Sequence, residues 1–375
     1  MEIYFDNSAT TKILPSALEE MNNIYENVYG NPSSLHKKGL EAENALDSAR
    51  KTLAKSLNAS PDEIIFTSGG TESNNFAIKG YLQRNPHAGK KIITSAVEHP
   101  SVANVFKSLE SEGFEVVRVP VGKDGEPDFD FLENAVDENT ALVSFMAVNN
   151  ETGVIFDIPG IKKIISAKNK NTVLHSDCVQ AYMKIPVNVK NLGADMISVS
   201  AHKINGPRGI GFLYKKKDIK LSPLIYGGGQ EGNLRSGTEN LPAICAFAKA
   251  AEFHRADLDG NIRKTQAVRD RLSEKLKELP GVFINSPENG APHILNVSFP
   301  KLRSEIILHM LESKGIYVSS GSACSSNFKE KHSVLAAMGF EKQRYDSAIR
   351  FSFSFENCME EAEKTAEILK EIIKS

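Results

Sequence analysis

Lys203 ends a β-branched run, Val199-Ser200-Ala201-His202-Lys203, and a glycine-punctuated turn, Gly206-Pro207-Arg208-Gly209, follows. An amine at a strand end, flanked by small and polar residues, is placed to form a Schiff base. Upstream, Leu174-His175-Ser176-Asp177 is another short apolar run ending in a carboxylate. Pyridoxal phosphate needs both groups: an amine to hold its aldehyde, and an acid to keep the pyridine nitrogen protonated so that the ring acts as an electron sink. Taken singly, a lysine near a strand end is more often a surface residue, and only its companions change that reading.

One companion is Phe66-Thr67-Ser68-Gly69-Gly70-Thr71-Glu72-Ser73-Asn74, which reads as strand, glycine turn and helix start. Free N–H groups and the helix dipole favour a phosphate there. The alternative is an ordinary helix capped by Thr71. Neither GxxxxGK[ST] nor GxGxxG is present. A second companion is Cys324, within Val318-Ser319-Ser320-Gly321-Ser322-Ala323-Cys324-Ser325-Ser326-Asn327. Small, polar neighbours predict a mobile exposed loop, from which a thiolate can enter and leave a site. The alternative is an incidental exposed thiol. Cys178, Cys245 and Cys358 read as structural, each in a helix-like or strand-like context.

Arg350, in Ser347-Ala348-Ile349-Arg350-Phe351-Ser352-Phe353, either faces solvent from an alternating strand or makes a two-pronged contact with a carboxylate. His99, before Pro100, is either a helix-entry residue or an imidazole packed on a flat ring. His175 and Asp177 suggest a metal pair, but no further ligand is evident, so no metal is expected. The glycine-rich segments Tyr226-Gly227-Gly228-Gly229-Gln230-Glu231 and Leu234-Arg235-Ser236-Gly237-Thr238-Glu239-Asn240 are either a binding element or a flexible connection ahead of a helix near Leu241.

The elements that must position these residues follow from the pattern. Strands are predicted at 63–67, 91–95, 115–119, 141–148, 172–176, 195–200 and 210–214, with helices including 72–83, 101–112 and 158–168 between them. This alternation predicts an α/β fold, a mostly parallel sheet with helices on both faces. Ligands of such sheets gather at the carboxyl ends of the strands, where Lys203, Asp177 and the 67–71 turn all fall. Composition changes near Asp257-Leu258-Asp259-Gly260. Beyond it come a charged helix (262–279), a strand (294–299), a helix (304–313), strands at 316–319 and 348–353 and a terminal helix (358–373), which suggest a smaller α+β domain.

The 375 residues favour two domains. A net charge of −2 gives no reason to expect nucleic acid or an anionic membrane as a partner, and no apolar run reaches the length of a membrane span. The acidic start, Met1-Glu2-Ile3-Tyr4-Phe5-Asp6, lacks a basic leader region. Four cysteines without CxxC spacing point to a reducing cytoplasm.

These motifs, in this order, resemble the cysteine desulfurases of the NifS/IscS type, within the fold type I, class V aminotransferase-like pyridoxal phosphate enzymes. The resemblance covers nearly the whole chain. It also rests on Tyr4-Phe5-Asp6-Asn7-Ser8-Ala9-Thr10-Thr11, Gly30-Asn31-Pro32-Ser33-Ser34-Leu35-His36, Glu98-His99, and Val148-Asn149-Asn150-Glu151-Thr152-Gly153. It implies a large cofactor-binding domain over 15–257, and a small domain of 1–14 with 258–375 carrying the Cys324 loop. It implies that Lys203 holds the cofactor and later moves protons, that Asp177 pairs with the pyridine nitrogen, and that Gln180 pairs with the phenolic oxygen. His99 would stack on the ring and assist acid–base steps. Gly70, Thr71, Ser200 and His202 would bind the phosphate, and Thr238 would reach the phosphate of the neighbouring subunit, so a homodimer is expected. Asn150 and Arg350 would hold the carboxylate of L-cysteine. Cys324 would take its sulfur as a persulfide for a protein acceptor, an iron–sulfur scaffold or a sulfur carrier, leaving alanine. After Arg350 the family commonly continues Phe-Ser-Leu-Gly-Arg, where this chain has Phe351-Ser352-Phe353-Ser354-Phe355. The alternatives are a selenocysteine lyase on the same scaffold and a non-catalytic cofactor-binding protein that delivers sulfur.

Overall fold

The computed structural model describes residues 2–320 and 334–374. After a two-residue strand, β1 (Ile3–Tyr4), come β2 (Ile64–Thr67), β3 (Lys91–Ser95), β4 (Glu115–Val119), β5 (Thr140–Met146), β6 (Val173–Asp177), β7 (Met196–Ser200) and β8 (Gly211–Lys215). The last seven form one sheet, in the order β2-β8-β7-β6-β5-β3-β4. Only β8 runs against its neighbours. The mostly parallel sheet read from the sequence is therefore present, with all seven strands. Alternate side chains enter different apolar clusters: Ile64, Phe66, Ile93 and Val143 one, Ile65, Ile92 and Leu142 the other. A sheet covered on both faces produces that division, and it explains why β5 is buried at every position.

Helices flank the sheet. The stretch expected at 72–83 is helical from Gly70 to Arg84, with a wider π turn over Phe76–Gly80. Pro100–Ser111 and Ile158–Lys168 each carry proline in the first turn and a side-chain cap, from His99 and Asp157 respectively. Two helices without a counterpart in the sequence reading, Pro15–Asn27 and Lys37–Leu57, pack against Leu241–Ala256.

The remaining strands are β9 (Phe283–Ile284), β10 (Ile294–Ser298), β11 (Ile316–Tyr317), β12 (Ser319–Ser320) and β13 (Ala348–Ser352). They make an antiparallel sheet ordered β12-β13-β10-β9, and β11 pairs in parallel with β1. Phe5, Val268, Leu272, Phe351 and Leu369 belong to a third apolar cluster built on these strands and on helices Leu258–Lys277, Ser304–Glu312 and Met359–Lys374. The single strand expected at 316–319 is two. The chain leaves β1 after Tyr317 and joins β13 from Ser319, so its hydrogen bonds change partner at Val318.

The glycine-rich connection is pinned at Glu231. Arg50 donates from Nη2 to Glu231 Oε1 at 2.6 Å and from Nη1 to Oε2 at 2.8 Å, and the Phe66 amide donates to the same Oε2 at 2.8 Å. Glu231 sits in the left-handed region (φ 49°), a strained conformation for a residue with a side chain, held by these bonds. Replacing Glu231 by Ala removes all three bonds and leaves Arg50 without a counter-ion. Because Arg50 is partly open to solvent, the expected loss is about 2–3 kcal/mol, read as a lower denaturation midpoint at unchanged slope. Faster proteolysis within 226–240 should accompany it, and an unchanged midpoint would show that Glu231 does not anchor the segment.

Candidate active site

The carboxyl ends of β2, β3, β6 and β7 lie on one side of the sheet, and each feeds a segment singled out by the sequence. Asp177 closes β6 and is almost fully buried. Its Oδ1 accepts from the Val179 amide at 2.9 Å and its Oδ2 from Asn74 Nδ2 at 2.7 Å. Asn74 also donates to Ser101 Oγ at 2.8 Å, and Ser101 Oγ lies 2.8 Å from His99 Nδ1. A continuous chain of hydrogen bonds thus joins the Asp177 carboxylate to the His99 ring. Nδ1 also accepts from the Ser101 amide at 3.2 Å, so a neutral ring carries its proton on Nε2. Burial holds the His99 imidazole below its usual pKa; Asp177 opposes this and Lys203 adds to it.

Lys203 follows β7 on a single 3₁₀ turn, Ala201–Lys203. Its Nζ donates to the carbonyls of Ser8 at 2.5 Å and Ala9 at 2.8 Å. Gln180 Nε2 donates to the same Ser8 carbonyl at 2.9 Å, so lysine and glutamine converge on one atom. His202 Nδ1 is 3.2 Å from Thr10 Oγ1, and burial, with Lys203 nearby, lowers its pKa to about 4. The segment 8–11 therefore lies against the 201–203 turn.

At the end of β2 the backbone itself forms a cradle. Gly69 has φ 149°, and Gly69, not Thr71, occupies the cap position of the helix that begins at Gly70. A Cβ at Gly70 would come within 2.6 Å of Val179 Cγ2, and one at Gly69 would face Ser200 Oγ at 3.6 Å. Glu72 receives the Ser68 amide at 2.8 Å and Arg235 Nε at 2.9 Å, which ties this cradle to the glycine-rich segment. Burial opposes its ionisation, but those bonds outweigh it and leave the Glu72 pKa lowered. Thr71 and Thr238 are exposed, and their hydroxyls bond to nothing among the described residues. Ser8 Oγ, Asn74 Oδ1 and Gln180 Oε1 are buried without a partner among those residues. Unsatisfied polar atoms of this kind call for a polar ligand or ordered water to complete them.

Arg350 lies in β13 and is buried, so the solvent-facing alternative does not hold. Nη1 donates to the Asn150 carbonyl at 2.9 Å and Nη2 to Asp6 Oδ1 at 3.1 Å. Asp6 Oδ1 also accepts from Ser319 Oγ at 2.7 Å, while Arg350 Nε has no partner among the described residues. His175 is enclosed in the core, bonded to Ser144 Oγ at 2.8 Å and Ser198 Oγ at 2.9 Å. Burial raises the Cys178 and Cys245 thiols to about 12, as befits structural residues. Cys358 is exposed just ahead of its helix, which corrects its reading as structural. Cys324 lies outside the described residues.

Sequence reasoning gave no individual role to Asn74, Ser101, Glu98, Asp6 or Ser8. Most stand inside the quoted motif segments, but their partners are far apart in the chain. Glu98 has one oxygen taking Ser95 Oγ at 2.6 Å and the Met146 amide at 3.0 Å, while the other has no partner among the described residues. Burial raises its pKa to about 8, with Asp177 adding to the rise. The folded protein therefore binds a proton that the unfolded chain releases above its ordinary carboxyl pKa. The Glu98 contribution is fully present at low pH and decays as pH rises toward 8. Glu98→Gln, a permanent neutral stand-in, should flatten the pH dependence of unfolding between about 4.5 and 8 and raise stability most near pH 8. An unchanged profile would mean that Glu98 is ionised in the folded protein.

Comparison with known proteins gives the family. Residues 3–365 match the family model for aminotransferase class-V. A NifS/IcsS protein homolog of Lactobacillus delbrueckii subsp. bulgaricus is 48% identical over 99% of this chain and 97% of its own. The cysteine desulfurase IscS of Methanosarcina thermophila is 41% identical over 99% of this chain and 92% of its own. A solved NifS-like protein superposes with a TM-score of 0.95 at 40% identity, covering all of both chains. This chain belongs to the class-V aminotransferase family, among its NifS/IscS-like cysteine desulfurases.

Proposed function

We propose that this protein is a pyridoxal phosphate-dependent cysteine desulfurase that takes sulfur from L-cysteine onto Cys324 and releases L-alanine. The observation that carries the reading is the convergence of Lys203 and Gln180 on the Ser8 carbonyl beside Asp177, whose two oxygens are fixed by Val179 and Asn74. The unpaired buried atoms of Ser8, Asn74 and Gln180 and the glycine cradle fit a flat polar ring with an anionic tail. Bound there, pyridoxal phosphate supplies an aldehyde for an amine and a ring that accepts electron density from the substrate Cα.

The chain's own residues do the rest. Lys203 would hold the aldehyde and afterwards move protons at the substrate carbons. Asp177 would accept a hydrogen bond from the protonated ring nitrogen and so keep the proton on that nitrogen. Gln180 has a second amide N–H for the phenolic oxygen, since only one goes to Ser8. His99, neutral and linked to Asp177 through Ser101 and Asn74, would pack against the ring and assist proton movement. The Gly70 amide, Thr71, Ser200 and His202 hold the phosphate, joined by Thr238 from the neighbouring subunit. Arg350 and Asn150 hold the substrate carboxylate, with Arg350 orientated by Asp6. The Cys324 thiolate attacks the substrate sulfur; an S–S bond forms as the Cβ–S bond breaks, and the persulfide carries sulfur to a protein acceptor.

A homodimer is supported by the exposed Thr238 hydroxyl and by the exposed apolar side chains Tyr29, Leu35, Ile225 and Tyr226. The separate apolar cluster of β1, β10 and β13 supports a small domain of 1–14 with 258–375 beside a large one of 15–257. Among the described residues no helix is long and apolar enough to cross a membrane. A cytoplasmic site of action fits a chemistry that depends on reduced thiols.

The test is alanine formed from L-cysteine with a thiol reductant present. The native protein should form it, and both Lys203→Ala and Cys324→Ala should lose at least about a hundredfold. Only the cysteine variant should still react with cysteine spectroscopically. Equal alanine from native protein and Cys324→Ala would remove the persulfide step. Faster turnover of selenocysteine that persists in Cys324→Ala would favour a selenocysteine lyase.

A further inference from the structure

Behind Lys203, on the side facing the small antiparallel sheet, a cavity of about 30 Å³ is lined by Met183, Lys184, Lys203, Asn205, His254 and His293, among others. Lys184 Nζ is buried and has no hydrogen-bond partner among the described residues. Both ring nitrogens of His293 are buried and equally without partners. His254 is bonded through Nε2 to Asn205 Oδ1 at 3.1 Å. The charged groups acting on Lys184 are Lys203 and Arg350, and those acting on His293 are Lys184, Arg269, Arg350 and Lys203. Every one is a cation. The chain even enters Lys184 through a left-handed residue, Met183 at φ 56°, a costly conformation for a side-chain-bearing residue.

A buried ammonium with no acceptor is among the most expensive arrangements in a protein interior, and it persists only if something pairs with it or the proton leaves. Lys184 supplies two or three donors and neutral His293 one, against single acceptor nitrogens on His293 and His254, and no carboxylate lines the wall to balance an ammonium. Water would bond to them but would leave the charge uncompensated. The free volume, about 30 Å³, is enough for a water-sized species.

We infer that this cavity is a binding site for a single small monoatomic anion of the halide class, held by Lys184 and His293 behind the reactive lysine. The site is separate from the glycine cradle at the end of β2, since none of residues 67–71 lines it. An anion there keeps Lys184 protonated and screens Lys203 from its cationic neighbours.

Crystals of the full-length protein soaked in bromide should show an anomalous peak within hydrogen-bonding range of Lys184 Nζ. In solution, replacing gluconate by chloride at constant ionic strength should raise the melting temperature of the protein as isolated, by about 3 °C at a hundredfold excess over the dissociation constant. Lys184→Met should abolish that response, while Lys184→Arg keeps the charge and should retain part of it. Water alone at the position in bromide, or the same chloride response in native protein and Lys184→Met, would overturn the proposal. The bromide measurement needs no variant, so a misfolded variant leaves it decisive.

Discussion

Two main-chain carbonyls, of Ser8 and Ala9, receive the Lys203 ammonium from 195 and 194 positions away in the chain. The site depends on that long-range contact, because the segment that provides it is anchored at both ends. On one side β1 pairs with β11, and the Ser352 amide donates to the Phe5 carbonyl at 2.7 Å. On the other, Thr11 donates to the His202 carbonyl from its amide at 3.0 Å and its hydroxyl at 2.8 Å. Between these anchors Asp6 holds Arg350, and Ser8 and Ala9 hold Lys203. The amine of the large sheet and the guanidinium of the small sheet are thus referenced to one short stretch of backbone. A shift of the small sheet would move Asp6 and the carbonyls together.

The electrostatics follow from the same geometry. Lys203, Lys184, Arg350 and Arg269 act on common neighbours, while Asp177 and Asp6 are each committed to specific partners. Buried positive potential of this kind attracts phosphate and carboxylate and costs stability when they are missing. Burial lowers the pKa of His99, His202 and His293; nearby lysines lower the last two further, while at His99 Asp177 opposes the burial. A neutral His99 bonded at Nδ1 presents its proton on Nε2.

Much of this was legible in the sequence. The seven strands of the large sheet show as short β-rich runs, of which β2, β6 and β7 end at the glycine turn, Asp177 and Ser200, so both the fold and these strand-end residues follow from pattern. The order of motifs led to the family. What pattern does not contain is the pairing of distant segments. Asn74 links Asp177 to Ser101, and Asp6 orients Arg350, through contacts spanning 103 and 344 positions. The helices Pro15–Asn27 and Lys37–Leu57 escaped notice because their apolar residues are thinned by charged ones, Leu46, Leu53 and Leu57 being buried where Lys51 and Lys55 are exposed. The split at Val318 is equally invisible, since a strand that changes sheets keeps one unbroken β-like sequence.

The central claim is that Lys203 is the amine of the site. Borohydride reduction of the protein as isolated, followed by peptide mass spectrometry, tests it most directly. A phosphopyridoxyl mass is expected on Lys203 and on no other lysine. The same mass on Lys184, or none on a protein that nevertheless forms alanine from cysteine, would contradict it.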